Sequence, residues 1–200
     1  MILPNAYYTG NDVVAIARDL LGKYLFTNIE GEITGGIIVE TEAYNGIIDR
    51  ASHAFGNRRT PRTQTMFEEG GRAYVYLCYG IHEMFNVVTA NEGTPHAVLI
   101  RAVQPTDGVE IMQLRRSMPI VKSTITAGPG SVAKALGISR KINNYSLLSN
   151  VIWIEDRGKK YADEEIKACP RIGVAYAKED ALLPYRFYVK GNPFVSKPNK

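Results

Sequence analysis

The sequence predicts a mixed α/β protein of the α+β kind, one domain over residues 1–200 with a curved, largely antiparallel sheet and helices packed around it. Two observations carry that expectation. Strand-like segments follow one another at short spacing with few helical segments between them, the order of an antiparallel rather than a doubly wound sheet. The 200 residues are 45% hydrophobic and 22% charged, ordinary for a globular chain and enough for a sizeable core.

The elements follow in order. Residues 11–21 read as a helix, because Val13, Ile16, Ala17, Leu20 and Leu21 recur at one-face spacing, with Asn11 as the cap and Gly22 as the stop. Lys23 to Asn28 reads as a strand, and Glu30-Gly31-Glu32 turns the chain into the stretch that the rest is organised around. That stretch, Ile37 to Tyr44, follows Gly35-Gly36 and stops at Asn45-Gly46. As a strand it alternates, so Ile38, Glu40, Glu42 and Tyr44 share one face, and Ile37, Val39, Thr41 and Ala43 the other. Carboxylates are costly to bury unpaired, so the first face is wet, paired or catalytic. The plain alternative is a solvated strand face.

Residues 45–72 are polar and rich in Gly and Arg, and read mostly as loop. Loops of this length inside a compact domain are usually functional or mobile. Arg58, Arg59, Arg62 and Arg72 suit phosphates as well as plain solvation. Ala73 to Cys78 and Met84 to Thr89 then read as a hairpin turning at Tyr79-Gly80-Ile81-His82. An aromatic at a hairpin tip has little core to join, so Tyr79 is expected to be exposed. In a chain of net charge +4, such a ring is suited to stack on or wedge between bases.

Ala97 to Val103 reads as a further strand. Asp107 and Glu110 form a capping-box pattern for a helix to about Arg116. Gly128-Pro129-Gly130-Ser131 opens a short helix through Leu136, and a glycine-rich helix start of this kind is a weak phosphate signal. Val151–Glu155, Ile172–Val174 and Arg186–Val189 read as late strands, and Lys197–Lys200 as a frayed tail.

The two cysteines, Cys78 and Cys169, give no disulfide framework and no zinc spacing, and read as buried thiols. No signal peptide and no apolar run of membrane length is read, which predicts an intracellular protein without a membrane partner. No nucleophile elbow, Walker loop, dinucleotide fingerprint or HExxH helix occurs, so no cofactor and no metal is expected. Carboxylates, tyrosines, histidines and arginines remain. That set is able to hydrolyse a glycosidic bond, with a carboxylate activating water and aromatics holding the leaving ring.

Several strings carry a resemblance. Val39-Glu-Thr-Glu-Ala-Tyr44, Ala51-Ser-His53, Arg59-Thr-Pro-Arg62, Met66-Phe67, Tyr74-Val-Tyr-Leu-Cys-Tyr-Gly80 and Asn86 are followed by Leu99-Ile-Arg-Ala102, Ala127-Gly-Pro-Gly130, Pro170-Arg-Ile-Gly173 and Tyr185-Arg-Phe-Tyr-Val189. Together, in order and over nearly the whole chain, they resemble the alkyladenine (3-methyladenine) DNA glycosylase family.

The resemblance implies a single-domain, monofunctional glycosylase of base excision repair. Such an enzyme flips alkylated or deaminated purines out of double-stranded DNA and hydrolyses the N-glycosidic bond. It implies Glu42 as the general base, with Arg101 beside it. It implies Tyr44 and Tyr76 as a sandwich around the flipped base, His53 on the base edge or the flanking phosphate, and Asn86 as the group that clashes with normal guanine. Tyr79 would fill the hole in the duplex. A monomer associated with DNA is expected. The chain departs from the family pattern at Ser131, where a basic residue is common, in the Asn91–Pro95 turn, and at Ile81-His82 on the hairpin tip.

Each role has a plain counterpart. Tyr44, Tyr74 and Tyr76 fit core aromatics with partnered hydroxyls, His53 an ordinary loop histidine, and Asn86 a satisfied strand amide. His82 and His96 read as structural. Glu40 shares the predicted face with Glu42 and receives no chemistry. Two rival readings are a non-catalytic nucleic-acid-binding module and a glycoside hydrolase with Glu40 and Glu42 as its carboxylate pair.

Overall fold

The computed structural model describes residues 1–196, so the expected tail at Lys197–Lys200 lies outside the described residues. In chain order the elements are α1 (Asn5–Tyr8), α2 (Val13–Asp19), β1 (Tyr24–Ile29), β2 (Glu32–Tyr44), β3 (Ala73–Cys78), β4 (His82–Thr89), β5 (His96–Asp107), α3 (Val109–Arg116), α4 (Pro129–Ala135), β6 (Ile152–Glu155), β7 (Ile166–Cys169) and β8 (Arg186–Val189). Residues 45–72 hold turns and two short 3-10 helices, Phe55–Asn57 and Gln64–Phe67.

The eight strands form one antiparallel α+β sheet in the order β3-β4-β5-β2-β1-β6, with β8 pairing both β2 and β7. The sheet forks along β2. One edge of β2 pairs β5 along its length. The other edge pairs β1 through residues 32–37, then β8 through residues 40–42. At the fork the β2–β5 register shifts twice, between Ile38 and Glu40 and between Glu40 and Thr41. The first shift leaves Val39 as an extra residue on β2, and the second leaves Arg101 as an extra residue on β5. Paired bulges of this kind re-aim side chains without displacing the strands.

Both faces of β2 are covered. Ile37, Ile38 and Val39 all join the main core. Of the three readings of the carboxylate face, wet, paired or catalytic, the structure shows pairing: Glu40 and Glu42 are both 0% exposed and lie against arginines. The core formed by α2, α4, β2, β4 and β5 includes Val13, Ile16, Ala17, Leu20, Ile100, Val132 and Leu136. Where β1 crosses β2, Gly35 is required, because a Cβ there would lie 2.2 Å from the Phe26 ring.

Several boundaries move for physical reasons. The cap of α2 is Asp12 rather than Asn11, its Oδ1 accepting from the amides of Val14 (3.0 Å) and Ala15 (2.9 Å). Asp107 is no cap, because β5 continues through it. The cap of α3 is Gly108, in the left-handed region at φ 64° and without a side-chain cap bond, at a point where a Cβ would meet the Ile33 carbonyl at 2.2 Å. Ile172–Val174 is not a strand. The strand beside β8 is β7, four residues earlier than Pro170-Arg171-Ile172-Gly173 ends. Cys169 is buried as expected, whereas Cys78 is only half-buried.

The β3–β4 hairpin is as expected, with Tyr79, Gly80 and Ile81 between Cys78 and its cross-strand partner His82. The Ile81 amide donates to the Cys78 carbonyl at 3.1 Å, and Tyr79 and Gly80 both have positive φ, 50° and 73°. This is the twist-matched turn of a tight hairpin, which normally takes Asn or Gly. A tyrosine held there, 90% exposed, is a strained residue at a surface tip.

Candidate active site

One cross-strand row sets out the site. Tyr74 on β3 lies opposite Asn86 on β4, Asn86 opposite Leu99 on β5, Leu99 opposite Glu42 on β2, and Glu42 opposite Arg186 on β8. Paired residues share a face, so five strands place these side chains in one line. At the β3–β4 end of the row lies a pocket with about 320 Å³ of empty space. Tyr44, His53, Tyr76 and Asn86, all expected at the site, line it together with Tyr74, Met66 and Tyr176.

Glu42 and Arg101 do not line that pocket. They sit behind Tyr44, in a dry cluster. The Glu42 Oε2 accepts from the Tyr44 hydroxyl at 2.9 Å. Its Oε1 accepts from the Ile172 amide at 2.8 Å and lies 3.3 Å from Arg101 Nη1. A carboxylate oxygen accepts two donors, and among the described residues Oε2 has only Tyr44, so it retains capacity for a water. Tyr44 is therefore the link between pocket and carboxylate. Burial, then the nearby Glu42 charge, pushes its phenol well above the ordinary value, so it stays a donor.

Glu40 is held differently. Its Oε1 accepts from Arg101 Nε (2.7 Å), Arg186 Nε (2.8 Å) and Ser196 Oγ (2.9 Å), and its Oε2 from the Ser196 amide (2.8 Å). Burial alone would raise this carboxyl, but Arg101 and Arg186 outweigh it and hold the group below its ordinary value. A carboxylate held below its ordinary value, with donors on both oxygens, is set up to anchor arginines rather than to supply a proton. It cannot act as the acid of a Glu40–Glu42 glycosidase pair.

A third buried pair stands alongside. Arg171 donates to Asp49 through both terminal nitrogens and to the Ala43 carbonyl at 2.8 Å, while its guanidinium lies 4.9 Å from the Tyr44 ring centre. Glu40, Glu42 and Asp49 are thus balanced by Arg101, Arg186 and Arg171, all six buried. Balanced, hydrogen-bonded charge is the form in which a dry interior tolerates carboxylates.

On the far side of the pocket, Arg62 Nη2 lies 3.3 Å from His53 Nε2, and His53 Nδ1 lies 2.9 Å from the Tyr74 hydroxyl. A guanidinium only donates, so Nε2 is the acceptor and the imidazole is neutral with its proton on Nδ1. Burial, then Arg62 and Arg58, lowers His53 to about 4, in agreement with a neutral ring. His53 meets the Tyr76 ring edge-on at 4.6 Å, and Arg62 lies over Tyr76 at 4.8 Å. Tyr76 is thereby fixed in orientation. Next to the pocket, a wider groove of about 950 Å³ of empty space is lined by Arg50, Arg58, Arg62, His53 and Tyr176 among others. Among the described residues, no group of three His, Cys, Asp or Glu side chains is placed to hold a metal ion, and no helix is long and apolar enough to cross a membrane.

Arg171, Asp49, Arg186, Ile172 and Ser196 carry the buried cluster and have no role in the expectations from sequence. Arg171, Ile172 and Arg186 stand inside quoted strings, Pro170-Arg-Ile-Gly173 and Tyr185-Arg-Phe-Tyr-Val189, which were the available signal. Ser196 has no sequence signal, because its partner is 156 residues away.

The chain belongs to the methylpurine-DNA glycosylase family, whose model matches residues 7–193. It is 46% identical over 187 residues to a Chlamydia abortus protein named "Putative 3-methyladenine DNA glycosylase", covering 93% of this chain and 97% of that one. It is also 46% identical over 205 residues to a Bacillus cereus (strain G9842) protein of the same name, covering 98% of this chain and 100% of that one. The chain is accordingly a DNA repair enzyme, a hydrolase acting on N-glycosyl bonds with DNA as its substrate.

Proposed function

We propose that this enzyme flips an alkylated or deaminated purine nucleotide out of duplex DNA into the tyrosine-lined pocket and hydrolyses its N-glycosidic bond with Glu42 as general base. The observation that carries the reading is the Glu42 carboxylate, buried and oriented by Ile172, Arg101 and Tyr44 directly behind that pocket.

Extrusion costs a few kcal/mol of unstacking, least for a damaged base. Tyr79, strained and exposed on its hairpin, fills the space left in the duplex. Tyr44, Tyr76 and His53 contact the faces and edge of the base, and Asn86 excludes the amino group of normal guanine. The C1′–N bond breaks, and its electron pair leaves with the base. A water oxygen bonds to C1′ and gives its proton to Glu42, whose negative charge also stabilises the oxocarbenium-like transition state. Among the described residues no lysine lines the pocket, which supports a monofunctional enzyme that leaves an abasic site and an intact strand. The protein acts as a monomer, since one chain supplies every group named.

The test is incubation with duplex DNA carrying a single hypoxanthine or 3-methyladenine analogue, with EDTA present, and products resolved before and after alkali. Free base with strand breaks only after alkali is expected. Strand cleavage without alkali would overturn the monofunctional reading, and tight binding with no excision would favour a binding module.

A further inference from the structure

We propose that Ser196 is a positioning residue for this site: together with Glu40 it locks the Arg101 guanidinium into the one orientation that presents Nη1 to Glu42. The inference rests on the reading of Glu42 given above and extends it to the C-terminal end of the described chain.

A guanidinium is rigid and flat, with five N–H donors in fixed directions. In Arg101, Nε donates to Glu40 Oε1 at 2.7 Å, and Nη2 donates to Ser196 Oγ at 3.2 Å. With those two nitrogens fixed, the third has no freedom, and Nη1 falls 3.3 Å from Glu42 Oε1. One bond through Nε would act as a pivot. The contact to Ser196 is the second point that stops rotation.

The Ser196 hydroxyl is used twice. It accepts from Arg101 Nη2 and donates its own hydrogen to Glu40 Oε1 at 2.9 Å. The Ser196 amide donates to Glu40 Oε2 at 2.8 Å, so the carboxylate is itself held at both oxygens. The segment that delivers Ser196 is anchored on the sheet. Asn192 Nδ2 donates to Gln104 Oε1 on β5 at 2.9 Å, and Val195 packs into the main core at 8% exposure. Arg101 is the extra residue of β5 at its register shift, so its backbone alone does not fix where the guanidinium points. The C-terminal segment supplies that constraint.

A residue that merely satisfied Glu40 would affect stability and leave the chemical step alone. A positioning residue lowers the chemical step selectively, and a misplacement of about 1 Å can cost on the order of 100-fold in rate. The experiment uses the full chain with Ser196→Ala, Ser196→Thr and Glu42→Gln in parallel. Single-turnover excision is measured from a duplex with one hypoxanthine, and affinity for the same duplex carrying a tetrahydrofuran abasic analogue. The backbone amide bond to Glu40 survives in both Ser196 variants.

The expected result is a fall of about 10-fold or more in the Ser196→Ala excision rate with affinity within about twofold of wild type, and recovery of most of the rate in Ser196→Thr, which keeps the hydroxyl. Three results overturn the proposal: a wild-type rate in Ser196→Ala, a rate loss matched by an equal loss of affinity, or Ser196→Thr as slow as Ser196→Ala. If Glu42→Gln is inactive and Ser196→Ala is unimpaired, only this inference falls. If Glu42→Gln excises normally, the underlying reading of Glu42 falls as well.

Discussion

Arg101 is shared by two buried carboxylates, its Nε 2.7 Å from Glu40 and its Nη1 3.3 Å from Glu42. The two glutamates stand either side of Thr41 on β2 and have opposite fates. Glu40 spends its acceptors on Arg101, Arg186 and Ser196, while Glu42 keeps acceptor capacity beside Tyr44. Burial would lower the Arg101 guanidinium, but Glu42 and Glu40 raise it above its ordinary value, so it remains charged throughout.

The first prediction concerns Glu40. Glu40→Gln removes a carboxylate that pairs both Arg186 and Arg101 in a dry site. Breaking a buried pair in this way costs about 3–5 kcal/mol. Urea unfolding will show a midpoint lowered accordingly, with the slope unchanged. A variant as stable as wild type would contradict the charge balance described here.

The second concerns the hairpin tip. Tyr79 occupies a left-handed position at φ 50°, where Asn is favoured, so Tyr79→Asn will hold or raise stability, by up to about 1 kcal/mol. Excision from duplex DNA will fall, and excision from single-stranded DNA, where there is no stack to fill, will fall much less. Equal losses on both substrates would remove Tyr79 from the flipping step.

How far sequence reaches depends on distance along the chain. The hairpin, β1, β8 and the antiparallel order follow from local alternation and turn residues, and Tyr79 is exposed as its tip position implies. Tyr44, His53, Tyr76 and Asn86 come together as the family strings suggest. The buried state of Glu40 and Glu42 was not legible, because it depends on Arg186 and Ser196, 146 and 156 residues from Glu40. The bulges at Val39 and Arg101 leave no trace in a hydrophobic pattern. Ile172 reads as a β-branched strand residue, yet its amide is turned to Glu42. Asp107 has the right chemistry for a cap and loses to continued pairing with Gly35.

A third prediction follows from His53. Burial, with Arg62 and Arg58, lowers it from 6.5 to about 4 in the folded protein. The unfolded chain therefore takes up this proton first on acidification. The stabilisation is complete above about pH 6.5, is lost as pH falls from there to about 4, and changes no further below. At 1.36 kcal/mol per unit the loss is on the order of 3 kcal/mol. His96, also lowered chiefly by burial, contributes equally to wild type and to His53→Gln. Stability measured at pH 7, 5.5 and 4 will thus fall more steeply in wild type, and parallel curves would contradict the neutral, buried His53.

The groove beside the pocket gives a fourth. Arg58 lines it and is exposed. If it meets a phosphate, Arg58→Gln will weaken duplex binding irrespective of sequence and reduce the salt slope of log K by about 0.9. An unchanged slope would place the DNA backbone elsewhere.

The central claim is that Glu42 performs the chemistry, and single-turnover excision by Glu42→Gln tests it most directly. General-base catalysis is worth about 10²–10⁴-fold. The expected result is a loss of at least about 100-fold in the rate of base release, with affinity for abasic-analogue duplex retained. Base release at the wild-type rate would contradict the account.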